Sequence, residues 1–522
     1  MQELTSNDIV LGTIFSSIQD DSPNVDHFYF ILDEKTEKLS AKQGLFCYTI
    51  SEEGMILGKI ESILVHNEYY EKPQTVKNLD SGSFSGIRNY FPSDQWEDYI
   101  ANVKVLGTFP FESESNIKSS NPKFSDSIIR SSFPAKPGSK VYVLKGDRLE
   151  RFLGIDSDGL NIGTLEHYNI DVRLNINRLI NKHLAVLAIS GAGKSYLVSD
   201  IIEELLLRKN NQGTPGVLLF DVHGEYKFIS DQGINENSNF ANKTKYYDAK
   251  YFEIDVSQLT AYDIRKFQPN ISHAQTRELK NIIFKLKKEE KSKIQFDLND
   301  LINKVEDQQQ MNSKVREALS SWLNDLNRLK LFSKSENPPV RNLISPGRMS
   351  ILDLSSIISI RKKQIIVSYI LETLFFLRRI GKIAPFLAIL EEAHQFAPDG
   401  VNANNAISKK IIETLAREGR KFYAQLCLIS QRPVKLSTTA LSQCNTHIIL
   451  RVTNPNDLDH IKASSEALTS ETLKMISTLP TGNALIMGAA TNMPLFVKVR
   501  PRFCSNPDDI ETLETICKNY QS

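Results

Sequence analysis

The strongest structural signal in this chain is the stretch HLAVLAISGAGKSYLVSDIIEELLL at residues 183–207. An apolar run that predicts a β-strand ends at Ile189 and Ser190, and an amphipathic helical pattern begins near Lys194. The glycines of the intervening GAGKS let backbone N–H groups turn inward around phosphate oxygens, and the helix N-terminus adds partial positive charge there. This order of strand, loop and helix predicts a phosphate-binding loop.

The side chains of this loop predict ATP and Mg²⁺ as cofactors. Lys194 is expected to neutralise the β- and γ-phosphates, and Ser195 to offer its hydroxyl to Mg²⁺. The usual pattern G-x-x-x-x-G-K-[ST] is incomplete, because Ala188 stands where its first glycine would be. The residues expected to bind nucleotide are Ser190, Gly191, Ala192, Gly193, Lys194, Ser195 and Tyr196.

A second apolar strand, FLAIL at residues 386–390, delivers two carboxylates to its C-terminal end. Ligands bind at that end of the strands in doubly wound sheets. We expect Glu391 to hold Mg²⁺ through water, and Glu392 to orient or deprotonate the attacking water. His394 is interpreted as a structural or coupling residue, because no second His or Cys lies at metal-ligand spacing.

Two further strand ends carry polar residues. The motif DVHGEY at residues 221–226 follows the apolar run GVLLF, and it fits either a functional site or a turn built by Asp221 and Gly224. Gln431 follows the apolar strand QLCLIS at residues 425–430. It is expected to sense the γ-phosphate or the attacking water, and a turn-stabilising amide is the alternative.

Arg417, Arg420 and Lys421 lie at the end of a predicted helix just before that last strand. Phosphoryl transfer is accelerated by an arginine that reaches the developing charge, often from an adjacent subunit. A solvated helix C-terminus also favours Arg and Lys, so both interpretations stay open.

The wider pattern predicts an α/β protein with two domains. Residues 1–165 contain short β-like runs such as HFYFIL and KVYVL between turn residues, which is typical of a small barrel. Residues 166–522 alternate apolar strands with helices, which predicts a parallel sheet covered on both faces. A helical insertion is expected at about 260–335, with one buried face formed by Leu319, Trp322, Leu323 and Leu326.

Composition excludes several classes. The 63 basic and 62 acidic side chains of the 522 residues leave a net charge of +1, so no global basic field attracts nucleic acid, although a local basic channel is allowed. The five cysteines form no CxxC pair, so neither a disulfide framework nor a zinc module is expected.

The most apolar stretch, residues 365–377, is shorter than the roughly 20 residues of a membrane-spanning helix and contains Glu372. With no basic segment before an apolar run at the N-terminus, a cytoplasmic protein is expected.

The ordered motifs resemble the HerA helicases and translocases, within the HerA–FtsK class of ring ATPases. They include HLAVLAISGAGKS, LLFDVHGEY, LAILEEAHQFAP, LAREGRKFYAQLCLISQRP and LPTGNALIMGAA, and the N-terminal FPAKPGSKV resembles the family's small barrel. The sequence departs from common P-loop patterns at Ala188, and at Glu391, where many P-loop enzymes use Asp.

The resemblance implies a RecA-like motor core that assembles as a homohexameric ring and threads double-stranded DNA through its pore. It also implies a nuclease partner similar to NurA in DNA-end processing, or another effector in anti-phage defence. The family's trans-acting arginine belongs to the segment matching AREGRKF, so Arg417 or Arg420 takes that role, with Arg420 favoured.

The sequence is compatible with two functions. In the first, the ring is an ATP-driven DNA translocase, and the loop PDGVNANNAISKK at residues 398–410 contacts DNA in the pore through Lys409 and Lys410. The alternative for this loop is a solvated connection into a helix. In the second, the protein is an ATP-binding scaffold that assembles and gates an effector enzyme with little translocation. A membrane-bound coupling ATPase is disfavoured by the lack of predicted spanning segments.

Overall fold

The computed structural model describes residues 9–16, 22–33, 41–67, 97–112, 124–125, 127–231, 238–289, 295–400, 406–464, 468, 470–504, 514 and 517–518. The chain divides into two compact units, Met1–Leu153 and Gly154–Ser522. Among the described helices, none combines the length and the apolar character that a membrane span requires.

The first unit contains a closed antiparallel barrel with the strand order β1-β2-β5-β4-β3-β6. Buried apolar side chains, including Leu11, Phe28 and Phe30, belong to its core. Its elements are β1 Val10–Ile14, β2 His27–Leu32, β3 Phe46–Ile50, β4 Gly54–Asn67, β5 Glu97–Pro110, β6 Lys140–Val143 and the helix α1 Asp147–Leu153. The predicted small barrel is confirmed.

The second unit is built on an eleven-stranded sheet with the order β11-β14-β10-β15-β16-β9-β17-β18-β19-β7-β8. The strands β11, β14, β10, β15, β16, β9 and β17 run parallel to one another. The remaining neighbouring pairs of this sheet are antiparallel. The bounds are β7 Ile155–Leu165, β8 Asp171–Leu174, β9 Leu184–Leu187, β10 Gly216–Asp221, β11 Thr244–Asp248, β14 Met349–Asp353, β15 Phe386–Leu390, β16 Ala424–Ser430, β17 Thr446–Ile449, β18 Asn483–Gly488 and β19 Leu495–Val499. A separate small ladder pairs β12 Ile254–Asp255 with β13 Phe332–Ser333.

Helices cover this sheet, and the central strands β9, β10, β15 and β16 are buried at every residue. Burial on both faces explains their continuous apolar sequences and confirms the predicted α/β core. The helices are α2 Ile176–Ile180, α3 Lys194–Leu207, α4 Ser238–Lys243, α5 Ala261–Phe267, α6 His273–Glu289, α7 Leu298–Glu306, α8 Ser313–Asn327, α9 Ile360–Arg379, α10 Lys409–Glu418, α11 Thr438–Ser442, α12 Pro455–Ser464 and α13 Ser470–Thr478.

Strand β7 places the division between the units before residue 165. Its side chains Leu160, Ile162 and Leu165 are buried, and it pairs with β19 and β8 of the large sheet. The strand therefore belongs to the second unit, which begins at Gly154.

The helical insertion consists of α5 to α8, between β12 and β13. Leu319, Leu323 and Leu326 of α8 are fully buried, and Trp322 packs against the same core as the sheet strands. Helices α5 and α7 begin with reciprocal capping boxes at Thr260 and Asp297, which satisfy backbone N–H groups at their N-termini. The predicted buried face of α8 and the helical insertion are confirmed.

The segment after β19 is fixed to α3 by a buried charge cluster. Arg500 is 8% exposed, and its guanidinium lies 3.0 Å from a Glu203 carboxylate oxygen and 3.2 Å from one of Glu204. Glu203 also accepts hydrogen bonds from the backbone N–H groups of Phe503 and Cys504. Because α3 begins at Lys194, this cluster stabilises the helix that carries the glycine-rich loop.

Glu203→Ala is expected to lower the free energy of unfolding by about 3 kcal/mol, because it removes one partner of a buried ion pair and leaves backbone donors unpaired. Urea denaturation followed by circular dichroism measures this change. The matched control is Glu317→Ala on the exposed side of α8, for which a change within about 0.5 kcal/mol is expected. Equal losses in the two variants would contradict the role of the cluster.

Candidate nucleotide-binding and catalytic site

The loop between β9 and α3 has the backbone conformation that its glycines permit. Gly191 and Gly193 have φ values of 75° and 97°, in the left-handed region that residues with a Cβ rarely adopt. A Cβ on Gly191 would meet no described atom within 4 Å, so the requirement there is conformational rather than steric. Ala188, where the first glycine of the motif is absent, is fully buried, and its N–H donates to Ser430 at 3.3 Å.

Lys194, the first residue of α3, turns into the protein toward the end of β15. Its Nζ donates a hydrogen bond to Oε1 of Glu392 at 2.7 Å and lies 4.0 Å from Oε1 of Glu391. Its side chain is only 7% exposed. The cation expected to meet phosphate oxygens is thus paired with the carboxylate expected to act on water.

Glu392 has a strained backbone and a crowded carboxylate. Its φ and ψ are both 47°, a left-handed conformation that costs a residue with a Cβ on the order of 1–3 kcal/mol. Its Oε1 also accepts a hydrogen bond from Nε2 of Gln431 at 2.6 Å, and its Oε2 lies 3.2 Å from Nδ1 of His394. The structure therefore brings Lys194, Glu392 and Gln431 together around one oxygen.

The two adjacent glutamates differ in protonation. Burial tends to raise the pKa of Glu392, but the charge of Lys194 and hydrogen bonds from Lys194 and Gln431 outweigh it and hold this pKa below its usual value. Burial and the nearby charge of Asp221 raise the pKa of Glu391 to about 8, against the opposing effect of Lys194. Near neutral pH, Glu392 is therefore ionised and Glu391 is largely protonated.

His394 has a lowered pKa, because burial outweighs the attraction of Glu392 for its charged form. Its Nδ1 lies 3.1 Å from the hydroxyl oxygen of Ser430, the last residue of β16. A largely neutral imidazole here links the ends of β15 and β16, in agreement with the structural or coupling role predicted for it.

The site fits a nucleotide with a hydrated divalent cation. Oε2 of Glu391 accepts backbone hydrogen bonds from Val222 at 2.9 Å and His223 at 3.3 Å. Its Oε1 is buried and accepts no hydrogen bond from any described residue. Once the carboxyl group is ionised, this oxygen beside Lys194 and the glycine loop suits a cation that carries water ligands.

The turn after β10 answers the question left open for DVHGEY. Oδ1 of Asp221 accepts hydrogen bonds from Gly224 N–H at 2.7 Å and Glu225 N–H at 3.1 Å, and Oδ2 accepts one from Tyr226 N–H at 3.0 Å. Asp221 therefore stabilises the turn. The turn brings the carboxylate of Glu225 to the hydroxyl of Ser195, which donates a hydrogen bond to it.

Sequence reasoning missed Glu225. The available signal was its position just after a buried strand, in a motif already singled out. Its contact with Ser195 depends on the order of strands in the sheet, which the sequence does not give.

Arg417 and Arg420 are exposed and far from the loop of their own chain. They precede the N-terminal end of β16, whereas the loop follows the C-terminal end of β9, and these two strands are parallel neighbours. The seven residues of β16 span roughly 20 Å. The arginines therefore lie at the N-terminal ends of the parallel strands, and the loop lies at their C-terminal ends.

Other predicted residues lie around the site as follows. Ser190 is exposed and Ala192 is buried. The hydroxyl of Tyr196 accepts a hydrogen bond from Arg502 N–H at 2.8 Å, and the Arg502 guanidinium lies 4.9 Å from the centre of its ring. Tyr196 therefore contacts the segment after β19.

The two lysines predicted to contact DNA differ in their surroundings. Nζ of Lys409 lies 3.9 Å from a carboxylate oxygen of Glu413, and the Lys409 side chain is half-buried. Lys410 is exposed. Residues 401–405 of the same loop lie outside the described residues.

Comparison with known proteins agrees with this fold. The sequence model of the central domain of helicase HerA matches residues 160–374, which include the glycine loop and the turn with Glu225. The chain is 29% identical over 486 residues to a probable helicase of Methanocaldococcus jannaschii, covering 90% of this chain and 88% of the relative. It is 29% identical over 507 residues to the DNA double-strand break repair helicase HerA of Pyrococcus furiosus, covering 87% of each. The predicted resemblance to the HerA family is confirmed.

A solved structure shares the fold of this chain. VirB4 of Thermoanaerobacter pseudethanolicus superposes with a TM-score of 0.52 at 13% identity, covering 69% of this chain and all of VirB4. The shared fold and the match to helicase HerA and its relatives show that the chain is a P-loop ATPase.

Glu391→Gln is expected to raise the thermal midpoint of the nucleotide-free protein at pH 9 and to change it little at pH 5. Because the pKa of Glu391 rises from 4.5 to about 8, the folded state binds more protons than the unfolded state between these values, and stability falls as pH rises through that window. Glutamine carries no charge at any of these pH values. Thermal unfolding in EDTA measures the difference, and an equal shift at both pH values would contradict the raised pKa.

Proposed function

We propose that this protein is an ATP-dependent translocase of double-stranded DNA that uses Mg²⁺ and acts as a homohexameric ring. The observation that carries the hydrolytic part is the cluster of Lys194, Glu392 and Gln431 at the mouth of the glycine loop. DNA as the substrate is supported by the relatives, which are named as helicases, one of them for double-strand break repair.

The exchange of partners by Lys194 links nucleotide binding to catalysis. When phosphate oxygens enter the loop, the Lys194 ammonium pairs with them and releases Oε1 of Glu392. Glu392, which is held in its ionised form, is then free to accept a proton from the attacking water, while the Gln431 amide orients the carboxylate or the water.

The carboxylate of Glu391 and the hydroxyl of Ser195 are the groups that would hold the cation. Bound Mg²⁺ supplies positive charge to the phosphate oxygens during their transfer. Because Glu391 is largely protonated in the nucleotide-free site, we expect its carboxyl group to release a proton to solvent when the cation is bound.

Assembly is supported by the position of the arginines. Arg417 and Arg420 are exposed at the N-terminal ends of the parallel strands, and the glycine loop lies at the C-terminal ends, so within one chain neither arginine acts on the bound nucleotide. A head-to-tail ring brings this surface of one subunit toward the next, which is the geometry in which a trans-acting arginine works. We propose Arg420 for this role, with Arg417 as the alternative.

DNA contact in the pore is proposed for Lys410 and Lys409. A net charge of +1 means that affinity for phosphates must come from a concentrated basic surface. Exposed Lys410 fits this role better than Lys409, which is paired with Glu413. The proposed partner is a NurA-like nuclease or an effector of anti-phage defence. The complete set of hydrolytic groups favours a motor over the alternative of an ATP-binding scaffold.

Lys194→Ala is expected to abolish ATP turnover, because the phosphates lose their buried cation. Glu392→Gln is expected to retain ATP binding while turnover falls by roughly 100-fold or more, since an amide cannot accept the proton. Nucleotide binding and phosphate release, each with and without duplex DNA, measure both effects. Glu317→Gln serves as a surface control. Wild-type turnover in either site variant would refute the assignment, and a wild-type protein indifferent to DNA would favour the scaffold.

Arg420→Ala is expected to be inactive alone and to be partly rescued in trans. Mixing it with inactive Glu392→Gln subunits creates interfaces that join an intact Glu392 to an intact Arg420. Phosphate release across a series of mixing ratios measures the rescue, and the same series with Arg417→Ala identifies which arginine acts. Absence of rescue for both variants, in rings shown to exchange subunits, would exclude a trans role for this segment.

A further inference from the structure

The hydroxyl of Ser195 donates a hydrogen bond to the carboxylate of Glu225. Ser195 is the second residue of α3, and Glu225 lies thirty positions further along the chain, in the turn after β10. Strands β16 and β15 lie between β9 and β10 in the sheet, so the contact joins elements that are not neighbouring strands. None of the roles assigned above uses Glu225.

The turn fixes the backbone of Glu225 from both sides. Asp221 accepts hydrogen bonds from the N–H groups of Gly224, Glu225 and Tyr226, and Gly224 has a φ of 79°. Tyr226 is fully buried and anchors the end of the turn. Glu225 itself is exposed, so its carboxylate is presented at the solvent side of the loop.

A hydroxyl group can bind a cation through its oxygen and donate its proton to another group at the same time. A serine hydroxyl has one proton to donate and two lone pairs to offer. When the oxygen binds a cation through a lone pair, its proton needs a separate acceptor. Carboxylates that accept such protons orient metal ligands and tune metal affinity, and their loss typically costs about 10–100-fold in affinity.

We propose that Glu225 is a positioning residue that accepts the Ser195 proton, turns the Ser195 oxygen toward the divalent cation, and adds negative charge beside it. This inference rests on the proposed ATPase function and extends it by one residue. Glu225 acts through Ser195, so its effect belongs to the metal dependence of nucleotide binding rather than to the binding of phosphate as such.

The test measures the affinity of the full-length protein for a fluorescent ADP analogue across a series of Mg²⁺ concentrations. For Glu225→Gln, the Mg²⁺ concentration that gives half of the affinity gain is expected to rise about 10-fold, with affinity in EDTA within about two-fold of wild type. Glu225→Asp, which keeps the charge, is expected to restore part of the shift. Glu317→Gln is the matched control on an exposed helix face.

A double-mutant cycle separates positioning from a general effect of charge or folding. In a Ser195→Ala background, Glu225→Gln is expected to add a smaller shift than in the wild-type background, because the hydroxyl through which Glu225 positions the cation ligand is gone and only its charge remains. The same added shift in both backgrounds would overturn positioning through Ser195. Unchanged half-saturation in Glu225→Gln, with wild type responding to Mg²⁺, would overturn the inference alone. A wild-type protein that binds no nucleotide would overturn the proposed function as well.

Discussion

The buried ion pair between Lys194 and Glu392 is the interaction on which the rest of the site depends. Lys194 begins the helix that follows β9, and Glu392 follows β15. The pair therefore connects the C-terminal ends of these two strands across the intervening strand β16. A charge buried at this depth is costly without a partner, so neither residue can lose the other without gaining a replacement. In the proposed mechanism phosphate oxygens are that replacement for Lys194, and Gln431 and His394 remain beside Glu392.

The pair also makes the two adjacent glutamates differ in protonation. Glu392 is ionised because Lys194 and Gln431 contact it directly, whereas Glu391, one residue earlier, is buried against Asp221 and keeps its proton. Glu392 has a left-handed backbone, and the two successive carboxylates contact different partners. Two carboxyl groups of the same type thereby differ in the protonation state that their surroundings favour, which fits separate roles for them.

Local sequence patterns predicted much of the fold and the centre of the site. The glycine loop, the strand that ends in Glu391 and Glu392, the barrel and the buried face of α8 all follow from short-range periodicity and turn residues. Features that depend on contacts between distant segments could not be predicted. The Ser195–Glu225 hydrogen bond requires the strand order, and the Arg500 cluster joins the segment after β19 to α3. The place of β7 depends on pairing with β19, which lies more than three hundred residues away.

Displacement of a triplex-forming third strand measures whether the energy released at this site moves the protein along duplex DNA. The wild-type ring is expected to remove the third strand from a long duplex only with ATP and Mg²⁺, while Glu392→Gln is expected to leave it in place. A wild-type protein that hydrolyses ATP in the presence of the duplex and never displaces the third strand would contradict the account.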